Sequence, residues 1–173
     1  MRRAFVIFLT LVLLWAVLSE LNHLVTRQHI YFWIGGLFVT YSALVLSPRP
    51  GLLATLLAGL LCDASAPIPF GTHALLFATA HAIIFNIRDR VPRDDTAGRV
   101  IIALLANLSL FIVFSLFLIT RLPFLAATWP RLIVDLICSQ ILIVLIAPWF
   151  FALQSAALEL ARPFTTRYGR DAD

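Results

Sequence analysis

The sequence has no lysine and few charged residues of any kind. All 13 of its basic residues are arginines, which excludes a phosphate-loop lysine, a Schiff-base lysine and a lysine general base. Charged residues make up 13% of the 173 residues and hydrophobic residues 61%, whereas soluble domains average about 25% charged residues. This composition predicts an integral membrane protein. The arginines are scattered between apolar runs and form no basic patch, so nucleic-acid binding is excluded.

Residues that carry catalysis or bind metal are also scarce. Cys62 and Cys138 both lie in apolar stretches and predict no disulfide framework. His73 and His81 are eight positions apart, two turns along one helix, too far to ligate one ion without further ligands. No serine has an adjacent base in sequence, and no Gly-x-Ser-x-Gly occurs. We expect a protein that is not an enzyme and that holds neither a cofactor nor a metal.

Six apolar runs separated by prolines and arginines predict an all-α integral membrane protein with six transmembrane helices. They are 4–21, 31–46, 51–66, 71–87, 100–120 and 132–153. The third is short: its 16 residues reach about 24 Å as a helix, less than the ~30 Å hydrocarbon core, so a re-entrant segment is the alternative. Tyr31 and Trp33 are predicted to open the second helix as interfacial aromatics. Residues 1–163 form one membrane domain, and 164–173 a polar cytoplasmic tail.

The distribution of arginine predicts the orientation. With six crossings and both termini cytoplasmic, ten arginines face the cytoplasm and three face outward. If the third run did not cross, the four arginines between 88 and 99 would face outward, against the positive-inside tendency. The first run has no small-x-small cleavage site and is predicted to remain as a helix.

Two aspartates interrupt the apolar runs, where an aspartate is costly. Asp63 ends the third run and precedes a turn with Pro69 and Gly71. A carboxylate at the C-terminal end of a helix needs a compensating partner. We expect Asp63 to hold this hairpin through His73, Thr72 or the free amides of the fourth helix. A proton relay or cation site at Asp63 and His73 is the alternative.

The second aspartate, Asp135, lies four positions after Arg131, which predicts an intramembrane ion pair near the outer interface. Small residues on the third run, among them Ala58 and Gly59, form a face suited to close helix packing, within the protein or between proteins.

Residues 51–63, GLLATLLAGLLCD, followed by 69–75, PFGTHAL, resemble the rod shape-determining protein MreD family. That family shows a glycine-containing apolar run ending in Asp, then a Pro-x-Gly turn and another apolar helix. Gly59, Asp63, Pro69 and Gly71 match this motif, and the resemblance extends over essentially the whole chain. It implies that these residues, with His73, shape a helical hairpin that supports a partner-binding surface.

The resemblance further implies a non-enzymatic component of the bacterial cell-elongation machinery, in the inner (cytoplasmic) membrane. Its implied partners are an MreC-like periplasmic coiled-coil protein, together with MreB, RodA and a class B penicillin-binding protein that act in peptidoglycan synthesis. The alternative is the substrate-binding membrane subunit of an energy-coupling-factor-type vitamin transporter, which shares the six-helix count. That function needs a polar pocket, and the sequence offers few polar residues to line one.

Overall fold

The computed structural model describes residues 2–28, 30–66, 68–90, 96–119 and 125–161. Within these ranges the chain forms six α-helices and two short 3-10 turns, which confirms the all-α prediction. The predicted tail, 164–173, lies outside the described residues. The helices are α1 (Arg2–Val25), α2 (Gly35–Val45), α3 (Pro48–Ser65), α4 (Thr72–Ile87), α5 (Thr96–Ile119) and α6 (Leu125–Leu160).

The helices bury several polar side chains beside an apolar core and expose many large apolar ones, as expected where lipid replaces water around a bundle. Thr40, Asn107 and Gln154 are fully buried, whereas Leu75 and Leu145 are exposed. The buried hydroxyls of the described core bond mainly to carbonyls of their own helix, as Thr40 does with Gly36 at 2.7 Å. Polar residues within the apolar runs therefore serve the interior of the bundle.

The 11-residue helix α2 lies at the centre of the bundle and contacts α3, α4, α5 and α6. Every residue from Gly35 to Ala43 is buried. A side chain at Gly36 would collide with the backbone of α5 at Ala103, so the missing Cβ lets these two helices approach closely.

The prediction that Tyr31 and Trp33 open the second helix is wrong, because residues 30–34 are non-helical and α2 begins at Gly35. We call residues 30–34 the strap. Polar side chains of α1 and α6 hold its backbone, as described below, and Asn107 of α5 accepts a hydrogen bond from the Gly36 amide in the first turn of α2 at 3.1 Å. These bonds compete with helical pairing, and they lie too far away in sequence to be foreseen.

Three described helices are long and apolar enough to cross a membrane: Arg2–Val25, Thr96–Phe117 and Trp129–Leu160. The other three are shorter. Helix α3 has 18 residues and α4 has 16, so α2, and not α3, is the shortest of the described helices. The two 3-10 turns, Thr26–Gln28 and Arg88–Arg90, follow α1 and α4.

Candidate functional site

Asp63, in the last turn of α3, binds the first turn of α4. Its Oδ1 accepts a hydrogen bond from the His73 amide at 2.8 Å and lies 2.9 Å from His73 Nδ1. Its Oδ2 accepts from the amides of Gly71 at 3.0 Å and Ala74 at 3.2 Å. The carboxylate is fully buried. It therefore occupies the end of α4 where free amides and the helix dipole favour negative charge.

The turn between α3 and α4 presents these amides to Asp63. Gly71, the N-cap residue of α4, has φ = +97°, a left-handed conformation that costs other residues about 1–2 kcal/mol. The Pro69 carbonyl accepts from the Thr72 hydroxyl at 2.7 Å and from the Thr72 amide at 3.2 Å. Thr72, one of the partners expected for Asp63, thus stabilises the turn through Pro69 instead.

Gly59 lies where α3 and α4 approach most closely. A Cβ at this position would lie 2.5 Å from Ala74 Cα and 2.7 Å from Ala74 N, both backbone atoms that cannot rotate away. Ala58, beside it, is also fully buried. The small-residue face of α3 therefore packs inside this protein.

The His73 ring lies among aromatic rings contributed by other elements. Its centroid is 5.0 Å from that of Phe114 on α5, 5.9 Å from Phe77 on α4 and 6.4 Å from Trp33 in the strap. Only 5% of His73 is exposed. Asp63 thus fixes the orientation of an imidazole that links α4, α5 and the strap.

The strap is held by side chains because its own backbone forms no helix. Asn22 of α1 donates to the Phe32 carbonyl at 3.0 Å and accepts from the Phe32 amide at 2.8 Å. From α6, Ser139 accepts from the Trp33 amide and Asp135 accepts from the Tyr31 amide, both at 2.9 Å. Buried backbone groups that are not paired within a helix require such partners.

The expected Arg131–Asp135 pair has a longer separation than the bond from Asp135 to the strap. Arg131 Nε lies 3.9 Å from Asp135 Oδ2. The Arg131 side chain is 58% exposed, whereas that of Asp135 is 8% exposed. The hydrogen bond between Asp135 and the strap is the shorter and more buried of the two contacts.

A cavity of about 320 Å³ lies at the end of the bundle where α1 and α3 end and α2 and α4 begin. We call it the aromatic pocket. Five aromatic side chains line it, and its polar lining comes from hydroxyl, amide and imidazole groups. The residues that line the aromatic pocket include Trp15, Ser19, Asn22, Tyr31, Trp33, Phe38, Ser65, His73 and Phe77. The indole of Trp15 donates to Ser65 Oγ at 3.3 Å across its wall.

Sequence reasoning missed this pocket, because its lining comes from four segments far apart in the chain. Asn22 and Ser19 fall at the end of the first apolar run and carried no motif. The sequence points to His73 as a partner of Asp63 and as a candidate metal ligand with His81, but not as part of a cavity. A polar residue near the end of each of several apolar runs was the one signal that pointed to a shared site.

Other candidate chemistry lies apart from this region. His81 is buried, and both of its ring nitrogens lack hydrogen-bond partners. A Cβ placed on Gly51 of α3 would lie only 2.6 Å from the Cε1 atom of His81. Cys62 and Cys138 are free. Within the described ranges, no three His, Cys, Asp or Glu side chains cluster closely enough to hold a metal ion.

Comparison with known proteins assigns a family. The model of the family described as rod shape-determining protein MreD matches residues 1–156. No curated protein and no solved structure gives a significant match. The matched range contains the whole α3–α4 hairpin, the strap and the aromatic pocket, and it confirms the family resemblance read from residues 51–75. The chain therefore belongs to the MreD family of rod shape-determining proteins.

Proposed function

We propose that this protein is a non-enzymatic membrane component of the cell-elongation machinery and that it acts by binding an MreC-like periplasmic partner. Membership in the MreD family implies a role in rod-shape determination, and the family match is the observation that carries the proposal. MreB, RodA and a class B penicillin-binding protein are further proposed partners. The lipid bilayer of the bacterial inner membrane is the proposed location.

We propose six crossings with both termini cytoplasmic, 1–163 being one membrane domain. The distribution of arginine supports this orientation, with ten inside and three outside. The lengths are compatible with it. The 11-residue α2 spans roughly 16 Å as a helix, and the five non-helical residues of the strap can add at most about 16 Å, so that the two together can reach across a core of ~30 Å.

Cysteine labelling in intact cells tests this orientation. A cysteine at Ala66 is expected to react with a membrane-impermeant thiol reagent from outside, and one at Thr96 only after the membrane is permeabilised. Labelling of Thr96 from outside would disprove six crossings. Because Cys62 and Cys138 are native cysteines, the unsubstituted protein is the background control.

The hairpin turn is the proposed contact with the periplasmic partner. Phe70, beside Gly71 in this turn, is 71% exposed. The hydrogen bond from the Gly71 amide to Asp63 holds the neighbouring backbone in place. An aromatic side chain on a rigid turn loses little entropy when a partner covers it, which is typical of residues that dominate binding energies.

Co-purification of the MreC homologue tests this contact. Phe70→Ala is expected to lower recovery of the partner about tenfold or more, as truncation of a central anchor costs roughly 2 kcal/mol. Phe5→Ala is the matched control, because Phe5 is similarly exposed, at 66%, on the opposite end of the bundle. Equal recovery with both variants would refute the contact at the turn.

The transporter subunit remains a second candidate because of one observation, the aromatic pocket, which has more polar lining than the sequence suggested. Its test is assembly of the purified protein with an energising ATPase module and micromolar binding of a vitamin. A protein that assembles with no such module but retains the MreC homologue supports the scaffold function.

A further inference from the structure

The aromatic pocket has features of a built binding site that scaffold function does not require. Its volume of about 320 Å³ falls in the range of roughly 300–1,000 Å³ typical of small-molecule sites. The strap forms one wall, and side chains of α1 and α6 hold the strap from both sides. Irregular backbone at membrane depth is tolerated where it is buried in protein or lines a cavity. The walls are therefore pre-organised.

The charge at the pocket favours a cation. None of the lining residues is an arginine, aspartate or glutamate. Directly behind the lining, the buried carboxylate of Asp63 contacts the His73 ring. Among described residues, His73 is the only basic side chain within ion-pair distance of Asp63. The acidic side chain in contact with the lining therefore favours a positively charged ligand over a negatively charged one.

Asp63 also determines which His73 nitrogen can meet a ligand. A carboxylate accepts hydrogen bonds, so the 2.9 Å contact with Nδ1 places the ring proton on Nδ1. Nε2 of the neutral ring is then an acceptor, and no described residue donates to it. His73 lines the pocket and can offer this nitrogen to an N–H group.

The aromatic lining suits the same kind of group. Trp15, Tyr31, Trp33, Phe38 and Phe77 come from three helices and the strap and surround one cavity. Several aromatic rings around one space attract a cation electrostatically, and ammonium ligands are recognised in such cages. A carboxylate or phosphate ligand would meet no positive side chain here.

We propose that the aromatic pocket binds a primary ammonium group, through cation–π contacts with its rings and a hydrogen bond to His73 Nε2. The ammonium group belongs either to the headgroup of phosphatidylethanolamine or to a small free amine. The pocket lies where α1 and α3 end. The proposal goes beyond the scaffold function and does not depend on the partner contact at Phe70.

Binding by the intact purified protein is the first test. Calorimetric titration with ethanolamine is compared with N-acetylethanolamine, which has no positive charge. We expect ethanolamine to bind at least tenfold more tightly. In parallel, native mass spectrometry of protein released from nanodiscs that hold equal phosphatidylethanolamine and phosphatidylglycerol, with matched acyl chains, shows which lipid is retained.

Tryptophan variants locate the site. Trp15→Leu removes one aromatic face and is expected to weaken ammonium binding about 5- to 30-fold, whereas Trp15→Phe weakens it less. Trp149→Leu is the matched control, since Trp149 is 79% exposed and lies outside the pocket lining. If Trp15→Leu cannot be purified, the proposal is tested by the Trp15→Phe variant and by the comparison of ethanolamine with N-acetylethanolamine on the unsubstituted protein.

The outcomes separate the sources of the ammonium group. Retention of phosphatidylethanolamine without binding of free ethanolamine supports the lipid, and the reverse supports a free amine. Equal affinity for ethanolamine and its N-acetyl derivative, with no lipid preference, overturns the proposal. An effect of Trp149→Leu equal to that of Trp15→Leu overturns it as well. Recovery of the MreC homologue is measured on the same variants, so that loss of the scaffold function is seen separately.

Discussion

Replacing Asp63 tests whether its role is to hold the hairpin. The carboxylate is fully buried and faces four N–H donors, three amides and the His73 imidazole. Asp63→Leu leaves all four without a partner. At a minimum of about 1 kcal/mol for each buried unsatisfied group, the variant is expected to lose about 4 kcal/mol. Asp63→Asn keeps one acceptor oxygen, and thus two of the four bonds, and is expected to lose about 2 kcal/mol.

Thermal unfolding of the purified protein in detergent measures this difference. For a chain of this size, 1 kcal/mol corresponds to roughly 2–4 °C in Tm. The expected decrease in Tm is therefore about 4–8 °C for Asp63→Asn and about 8–16 °C for Asp63→Leu. Asp89, whose side chain is 75% exposed, provides the same two substitutions as controls, with a change below about 2 °C.

The comparison of Asn with Leu separates a structural role from a charge-dependent one. If both Asp63 variants lost cell-shape function equally while their Tm stayed near that of the unsubstituted protein, the hydrogen-bonding argument would be refuted. Proton or cation handling by Asp63 and His73 would then replace it.

Four further substitutions have expected outcomes in the same unfolding assay. Asp135→Ala is expected to lower the free energy of unfolding by about 1–3 kcal/mol, because it leaves a strap amide unpaired. Arg131→Gln should lower it by less than about 1 kcal/mol. Equal effects of the two substitutions would mean that the ion pair dominates. Gly59→Leu should prevent stable folding because it collides with the α4 backbone, and near-normal yield would contradict the close approach. Gly71→Ala meets no atom within 4 Å and should cost only about 1–2 kcal/mol from its positive φ; a larger loss would indicate a contact.

The elements that could be predicted from the sequence depend on local patterns. Each of the six apolar runs overlaps a described helix, because lipid exposure demands continuous apolar segments. The region that Asp63 contacts was also predictable, since the donors lie 8 to 11 positions further along the chain and helix N-termini leave amides free.

The contacts of Asp135 and the aromatic pocket could not be predicted in this way. Arg131 is the nearest basic residue to Asp135 in sequence. The Tyr31 amide, from which Asp135 accepts a hydrogen bond, lies 104 residues away. No periodicity encodes such a pairing. For the same reason Tyr31 and Trp33 fitted a helical pattern, although distant side chains hold them in non-helical backbone.

The side-chain clamp on the strap also imposes an order on biogenesis. The Tyr31 and Trp33 amides donate hydrogen bonds to Asp135 and Ser139, which are made 104 and 106 residues later. At about 5–20 residues per second, a ribosome takes roughly 5–20 s to reach them. During that interval these two amides lack their native partners, and only the bonds of the strap to α1 and of α2 to α5 can form. The bundle can therefore reach its final packing only after its last helix has been inserted.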